Sequence, residues 1–244
     1  MEFYIFFYKD LLLLKERLSK FLSSALVAPL LYLAAFGLGL GRRLRMEGLP
    51  YLDFLVPGIV AITAMTASFS GVAINLNMSR LYSKTFDAYR VSPIHPFSIV
   101  VGHALAGMFR GAVSSLGVVA AGLLFGARLE LGASFWLILL LSTLVFASFG
   151  VFAALMVDSH EDLALFNTFV IFPMSFLCGT FFSLSGLPSF LRGAIYMLPL
   201  THSSLLLRHL AGGKAADATS VLILLGYAVL FACLSRWALD RCYR

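Results

Sequence analysis

Long apolar stretches separated by short polar segments dominate the 244-residue chain. Six of them are long enough, at about 20 residues of helix, to cross a hydrocarbon core roughly 30 Å thick. Their continuous apolar character predicts helices, because the strands of a membrane barrel alternate apolar and polar positions over about ten residues. The predicted spans are Phe21–Leu40, Phe54–Ile74, Ser98–Phe125, Ala133–Val157, Ala164–Leu184 and Ala218–Ala238. The pattern predicts an all-α integral membrane protein, with residues 1–244 forming a single transmembrane domain.

The first 23 residues show a different periodicity. Polar side chains recur about every seven positions, and apolar side chains lie away from them, as on an amphipathic helix. The polar set is Glu2, Lys9, Glu16, Lys20 and Ser23, and the apolar set is Phe3, Phe7, Leu11 and Leu14. We expect residues 1–20 to form a helix in the membrane interface. The alternative is a short N-terminal extension of the first span.

The polar segment between the second and third spans, residues 77–97, is the longest on its side of the membrane. Arg80, Lys84 and Asp87 are three to four residues apart and would share one face of a helix. Ser92-Pro93 and His95-Pro96 would end that helix. The pattern is typical of a docking surface outside the membrane, although a solvated loop with surface charge has the same composition.

The segment "CGTFFSLSGLPSFLRG" interrupts an apolar region without any charged loop. The fifth span ends near Phe182, Ser-Gly-Leu-Pro predicts a turn, and the apolar segments Phe190–Leu200 and Ser203–Leu210 are too short to cross the membrane. Residues 183–217 are therefore predicted to form an outer re-entrant hairpin near a pathway or an interface. The glycines and prolines expected to shape this hairpin are Gly179, Gly186, Pro188 and Pro199.

Composition and charge support a membrane location. Hydrophobic residues make up 60% of the chain and charged residues 12%, and the mean hydropathy is +0.93. The net charge of +6 is spread over many loops, which argues against a nucleic-acid partner. With both termini inside, ten basic residues lie on the cytoplasmic side and seven outside, as the positive-inside rule favours. We expect a multi-pass protein of the inner cell membrane, with membrane lipid as its surroundings and an N-terminus that is not cleaved.

Motifs for catalysis or nucleotide binding are incomplete. His160-Glu161 begins like a zinc-protease motif, but Ala164 stands where the second histidine is required. Gly213-Lys214 lacks the rest of a phosphate-binding loop. The three cysteines do not suggest a disulfide framework. We expect no catalytic residue, no metal and no bound cofactor in this chain.

Arg110 is predicted to lie near the middle of the third span. An arginine at that depth costs at least about 2.5–3.5 kcal/mol on insertion scales, so it must face protein or water. His103 is seven residues earlier and shares its face, and Gly102, Gly107 and Gly111 permit close helix approach. The two polar residues either line a translocation path or form a structural buried contact.

Three segments together carry a family resemblance: "YLDFLVPGIVAITAM" (Tyr51–Met65), "KTFDAYRVSPIHPFSIVVGHALAGMFRG" (Lys84–Gly111) and "FVIFPMSFLCGTFFSLSGLPSFLRGAIYMLPLTH" (Phe169–His202). In this order they resemble the membrane permease subunits of type-2 ATP-binding-cassette (ABC) exporters. The chain is most similar to the small six-span permeases of nodulation-factor, polysaccharide and drug export. The resemblance covers about residues 50–213.

The resemblance implies a permease that pairs with a second copy, as a homodimer or heterodimer. Each permease docks a separate cytoplasmic ATPase subunit, which binds ATP and Mg²⁺ and drives export of an amphiphilic, lipid-linked, saccharide or drug-like substrate. Residues 80–90 would form the coupling helix, with Tyr82, Phe86 and Arg90 as anchors. The outer hairpin would cap the pathway. The coupling positions are Arg80, Tyr82, Lys84, Thr85, Phe86, Asp87 and Arg90.

An ion-coupled secondary transporter is the alternative from another class. It requires buried acidic residues and an internal repeat. Asp53 and Asp158 lie at the ends of predicted spans, and residues 1–125 show no convincing match to residues 126–244. A structural membrane scaffold is a third interpretation, which Arg110 and the broken outer hairpin disfavour.

Overall fold

A computed structural model describes residues 3–16, 18–40, 45–46, 48–83, 86 and 96–242. The helices and strands are α1 (Phe3–Glu16), α2 (Leu18–Tyr32), β1 (Arg45–Met46), β2 (Leu49–Pro50), α3 (Tyr51–Leu81), α4 (Pro96–Leu124), α5 (Ala133–Met156), α6 (His160–Phe166), α7 (Phe172–Leu177), α8 (Ser189–Tyr196), α9 (Pro199–Ala211) and α10 (Ala218–Cys242). One π-helical segment, Leu33–Leu40, continues α2. A second, Asn167–Ile171, joins α6 to α7, and Leu184–Gly186 forms a 3-10 turn.

Five helices in the described part of the chain are long and apolar enough to cross a membrane. They are α2 with the start of its π-helical continuation, α3, α4, α5 and α10, and they match five of the six predicted spans. The all-helical membrane architecture is therefore confirmed. The antiparallel pair β1 and β2, which the sequence pattern did not predict, adds only two residues per strand before α3.

The predicted span Ala164–Leu184 has different ends in the structure. Its helical run begins at His160, passes through α6 and the π-helical segment, and ends with α7 at Leu177. The predicted end is wrong because the chain leaves helical geometry at Cys178 and Gly179 takes a φ of 70°. The sixth crossing itself stays a prediction.

Helix α3 is the centre of the fold. It packs against α4, α5 and α9, and α5 also packs against α10. All of its residues from Phe54 to Met65 are buried. A helix that is apolar and buried on every side belongs in the middle of a bundle. The spans α2, α4 and α5 contact α3, and α10 packs on α5.

Glycines bring the central helices into close contact, as the sequence predicted for Gly107 and Gly111. A Cβ atom at Gly107 would lie 2.2 Å from Val72 Cγ2 and 2.9 Å from Ala147 Cβ. At Gly150 in α5 it would lie 2.7 Å from the carbonyl oxygen of Phe69 in α3. The α3–α5 distance at this point therefore depends on the missing side chain.

The N-terminal region is helical on both sides of residue 17, which lies outside the described residues: α1 precedes it and α2 follows it. Phe7 meets the Phe109 ring of α4 edge-on, with 6.3 Å between ring centroids, and Leu14 is buried. Lys15 and Glu16 are exposed. The amphipathic pattern thus directs the apolar face of α1 onto α4. Its position at the membrane interface stays a prediction.

We predict that Gly150→Ala destabilises the protein by about 1–3 kcal/mol, the usual effect of overpacking. The nearest atoms to the new methyl group belong to the backbone of α3 at Phe69, which can yield only if the two helices separate. Thermal unfolding in detergent, followed by size-exclusion chromatography of the surviving monodisperse protein, measures this effect.

Gly226→Ala is the matched control. Gly226 also lies within a long helix, α10. Among the described residues, no heavy atom other than those of its chain neighbours and its own helix backbone lies within 4 Å of the position that its new methyl group would take. This variant should unfold at or slightly above the wild-type temperature, because alanine has the higher helix propensity. Equal melting temperatures for the two variants would contradict the close-packing account.

Candidate functional site

A groove of about 480 Å³ runs along one side of the bundle. It follows α2 from Phe21 to Tyr32, about 16 Å along the helix, and α3 from Ile59 to Asn75, about 24 Å. The groove therefore extends over much of the membrane's depth. Its lining is Phe21, Ser24, Ala25, Ala28, Pro29, Tyr32, Ile59, Ile62, Thr63, Thr66, Ala67, Ser70, Gly71, Ile74, Asn75, Arg110, Phe172, Ser175, Phe176 and Phe181.

Hydroxyl groups in the lining bond to the helix that carries them. Thr63, Thr66 and Ser175 each donate to the carbonyl oxygen four residues earlier, at 2.9 Å. Such bonds satisfy a hydroxyl donor without a partner on another helix. The surface of the groove is thus apolar with dispersed oxygen acceptors, which suits a molecule that has both apolar and polar parts.

An aromatic cluster lies at the Tyr32 end of the groove. The ring of Phe181 is 5.3 Å from those of Tyr32 and Phe36 and 5.8 Å from that of Phe176, between centroids. The hydroxyl of Tyr51 donates to the carbonyl oxygen of Phe181 at 3.2 Å. These contacts hold the segment after α7 against α2, its π-helical continuation and α3 at the Tyr32 end of the groove.

Arg110 lines the groove from α4, which places the sequence-predicted charge on its wall. Its side chain lies across Gly71 of α3, where a Cβ atom would come within 3.0 Å of Arg110 Cδ. The carboxylate of Asp10 on α1 is close enough to attract its charge. Arg110 is thus half-buried between the groove and an acidic residue.

Asp10 is the residue that sequence reasoning missed. Asp10 and His103 are each 5% exposed, and Asp10 Oδ2 lies 3.7 Å from His103 Nδ1. Burial raises the pKa of the Asp10 carboxyl, but His103, with Arg110 and Lys9, more than offsets this and leaves the pKa below its usual value. A signal was present in the sequence, because Phe3, Phe7, Asp10 and Leu14 form one helical stripe. A carboxylate in an apolar stripe requires a buried partner.

Arg80 lies in the last turn of α3 and binds the end of α5. Its guanidinium donates to the carbonyl oxygens of Ala154, Leu155 and Val157 at 2.7–2.8 Å, and it pairs with Asp158 at 3.2 Å. These carbonyls have no partner within their own helix. Arg80 thus has a structural contact that the sequence did not predict, and its coupling role stays a prediction.

The other predicted coupling residues divide into two groups. Tyr82 is 63% exposed, whereas Phe86 is 3% exposed and packs in the core of this chain. An interface anchor has to be accessible, so the anchor role predicted for Phe86 does not fit its burial. Lys84, Thr85, Asp87 and Arg90 lie outside the described residues.

The segment predicted to form the outer hairpin contains two short helices, α8 and α9. Gly179 supplies the positive φ at the bend, exposed Gly186 ends the 3-10 turn, and Pro188 and Pro199 stand at the starts of α8 and α9. The break between the helices falls at residues 197–198, earlier than the sequence predicted. Re-entry into the membrane stays a prediction.

Arg208 of α9 holds this bend in place. It is buried and donates to the carbonyl oxygens of Phe54 at 3.2 Å and Gly179 at 3.0 Å. Its guanidinium carbon also lies 3.7 Å from the centre of the Phe54 ring, a cation–π distance. The sequence pattern did not predict these contacts of Arg208.

Comparison with known proteins shows similarity to membrane transport proteins. The family model described as ABC-2 type transporter matches residues 1–210. Inner membrane transport permease YadH of Escherichia coli (strain K12) is 28% identical over 177 residues, covering 70% of this chain and 68% of YadH. Nodulation protein J of Rhizobium leguminosarum bv. trifolii is 34% identical over 194 residues, covering 75% and 71%.

The family match covers most of the chain. It includes α2, α3, α4 and α5, four of the five long apolar helices. It also agrees with the resemblance carried by the segments around α3, α4 and α7. The chain therefore belongs to the ABC-2 type transporter family and is a membrane permease of that family.

Proposed function

We propose that this permease forms the translocation path of an ATP-driven exporter for an amphiphilic substrate, such as a lipid-linked, saccharide or drug-like molecule. The observation that carries the proposal is the groove, which follows α3 for about 24 Å and has an apolar wall with dispersed hydroxyl groups. Its 480 Å³ falls within the usual range of about 300–1,000 Å³ for small-molecule sites.

A second permease copy would complete the path. Large apolar side chains are exposed on the elements at the two edges of the groove, including Leu31 of α2, Phe169 of the π-helical segment and Phe172 of α7. Lipid or a second copy can cover such a surface, but a path for a polar group has to be enclosed by protein or water. Dimerisation across this face encloses it.

The sixth crossing and the outer hairpin are part of the same proposal. The helical run from His160 to Leu177 is about 27 Å long, close to the thickness of the hydrocarbon core. α8 and α9 have 8 and 13 residues, too few to span. With both termini in the cytoplasm, the two short helices lie at the outer end of the path.

ATP and Mg²⁺ would be bound by a separate ATPase subunit docked on the cytoplasmic side. Family membership supports such a partner. Tyr82 lies directly after α3, at the end opposite Tyr51, and is highly exposed. Exposed tyrosines are frequent hot spots in protein interfaces. Tyr82 is therefore the coupling residue whose geometry suits the contact.

Asp10 and His103 bear on the ion-coupled alternative, since a buried acid is what such a transporter requires. The two residues lie between α1 and α4, and neither is among the residues that line the groove. An ion site for coupled transport has to be reached from the path. The position of this pair therefore supports the ATP-driven function over the ion-coupled one.

The first prediction from this proposal concerns orientation. Single cysteines placed at Ser83 and Ser189, in a background in which Cys178, Cys233 and Cys242 are replaced by serine, should react with an impermeant maleimide from opposite sides. Both positions are exposed, so access depends on the membrane alone. The Ser83→Cys variant should react only when the cytoplasmic face is open to the reagent. Labelling of Ser83→Cys and Ser189→Cys from the same side would contradict the proposed topology.

The second prediction concerns coupling to the ATPase. Tyr82→Ala should reduce the affinity for the ATPase subunit about thirtyfold, the effect of losing an anchor worth roughly 2 kcal/mol. The measurement is the amount of P-loop ATPase that co-purifies with the tagged permease at increasing dilution. Permease yield and dimerisation should be unchanged, because the Tyr82 side chain is exposed.

Two variants serve as controls for this experiment. Ser189→Ala, at the start of the outer helix α8, should retain the ATPase fully. Phe86→Ala should lower the amount of folded permease, because it removes a side chain from the core. If Tyr82→Ala retained the ATPase as well as Ser189→Ala does, residues 158–162 at the start of α6 would become the next candidate contact.

A further inference from the structure

We propose that the groove selects amphiphiles with an anionic group, such as a phosphate ester, and that Arg110 binds that group during transport. This inference rests on the proposed function, since it assigns the substrate class of the same groove. The proposal starts from the charge of the groove lining, which is positive at one residue and neutral elsewhere. Among the lining residues described above, Arg110 is the charged one.

The surroundings of Arg110 suit an oxyanion. Ser70 and Asn75 of α3 line the groove close to Gly71, over which the arginine side chain lies. The planar guanidinium can donate two parallel hydrogen bonds to a phosphate or carboxylate. The Ser70 hydroxyl is next to Gly71, and the Asn75 amide, one turn away, donates to the carbonyl oxygen of Gly71 at 2.6 Å, which leaves its second N–H for an anion. The aromatic and aliphatic lining toward Tyr32 accommodates an apolar chain.

Asp10 provides the counter-charge when no anion is bound. Its carboxylate is buried on the α1 side and attracts Arg110, but it is not part of the groove lining. An incoming anion therefore approaches Arg110 from the groove and competes with Asp10 from the other side. Removing the charge of Asp10 should strengthen anion binding, whereas removing that of Arg110 should abolish the preference for anions.

The depth of Arg110 indicates a transported molecule rather than a resident membrane lipid. In α4 it lies about 21 Å along the helix from both Pro96 and Leu124. A bilayer phospholipid keeps its phosphate in the headgroup region, outside the roughly 30 Å hydrocarbon core. An anion that reaches Arg110 has left that region, as a substrate in transit does.

Two fluorescent probes that differ only in a phosphate group test the proposal. Fluorescent lysophosphatidic acid and the monoacylglycerol of equal chain length are titrated at pH 7.5 against the purified permease, with its co-purifying subunits, in phosphatidylcholine nanodiscs. The wild type should bind the phosphate probe about tenfold or more tightly, the ratio expected for hydrogen bonds to a charged group.

Arg110→Gln should bind both probes with equal affinity, and its affinity for monoacylglycerol should stay within about twofold of the wild type, which shows that the groove is folded. Asp10→Asn should increase the preference for the phosphate probe over monoacylglycerol. If Arg110→Gln does not fold, this increase becomes the test of the proposal. Arg128→Gln, at an exposed basic position after α4, is the control for general surface charge and should leave the preference unchanged.

Several outcomes would overturn the proposal: equal binding of the two probes by the wild type, a preserved preference in Arg110→Gln, no gain in Asp10→Asn, or an equal loss in Arg128→Gln. A native phospholipid that co-purifies stoichiometrically and resists displacement by the phosphate probe would overturn it too, because Arg110 would then hold a resident lipid. The titration uses no ATP. If no ATPase subunit bound the permease, the proposed ATP-driven function would be contradicted, but the measured anion preference of the groove would be unaffected.

Discussion

Every backbone carbonyl that is shielded from water needs a donor from the protein, and this requirement organises the structure. In regular helix the donor is the amide four residues later, so the difficulty arises where helices end. Two arginines meet it here. Arg80 donates to the final carbonyls of α5, and Arg208 donates to Gly179 at the bend after α7 and to Phe54 of α3. Each also connects its own helix to another, so both chain breaks are stabilised by side chains distant in sequence.

The groove follows the same requirement on a smaller scale. Thr63, Thr66 and Ser175 donate to carbonyl oxygens four residues earlier, so their hydroxyl donors are satisfied locally. Such a wall has little directional preference. Arg110 differs because its charge cannot be satisfied by local backbone alone, and the structure places Asp10 behind it. The neutral wall therefore tolerates substrates of different shape, whereas Arg110 selects those that carry an anionic group.

The sequence predicted what depends on local pattern. Apolar length located the five long helices, and the glycines of α4 indicated the close approach to α3 and α5. It could not predict contacts between residues far apart in the chain. Arg80 looks like a surface charge because nothing near it reveals the end of α5, 74 residues away. The helix end at Leu177 was missed because the apolar run continues beyond it, and Asp10 was missed because its partner His103 lies on another helix.

Arg208 also supports one wall of the groove. By donating to the carbonyl oxygens of Phe54 and Gly179, it joins the start of α3 to the bend after α7. The opposite wall is α2, and only 11% of the span that contains it is buried. The span that contains α3 is 67% buried, so the wall that Arg208 supports is embedded in this chain, whereas the α2 wall has most of its surface left for lipid or a second copy.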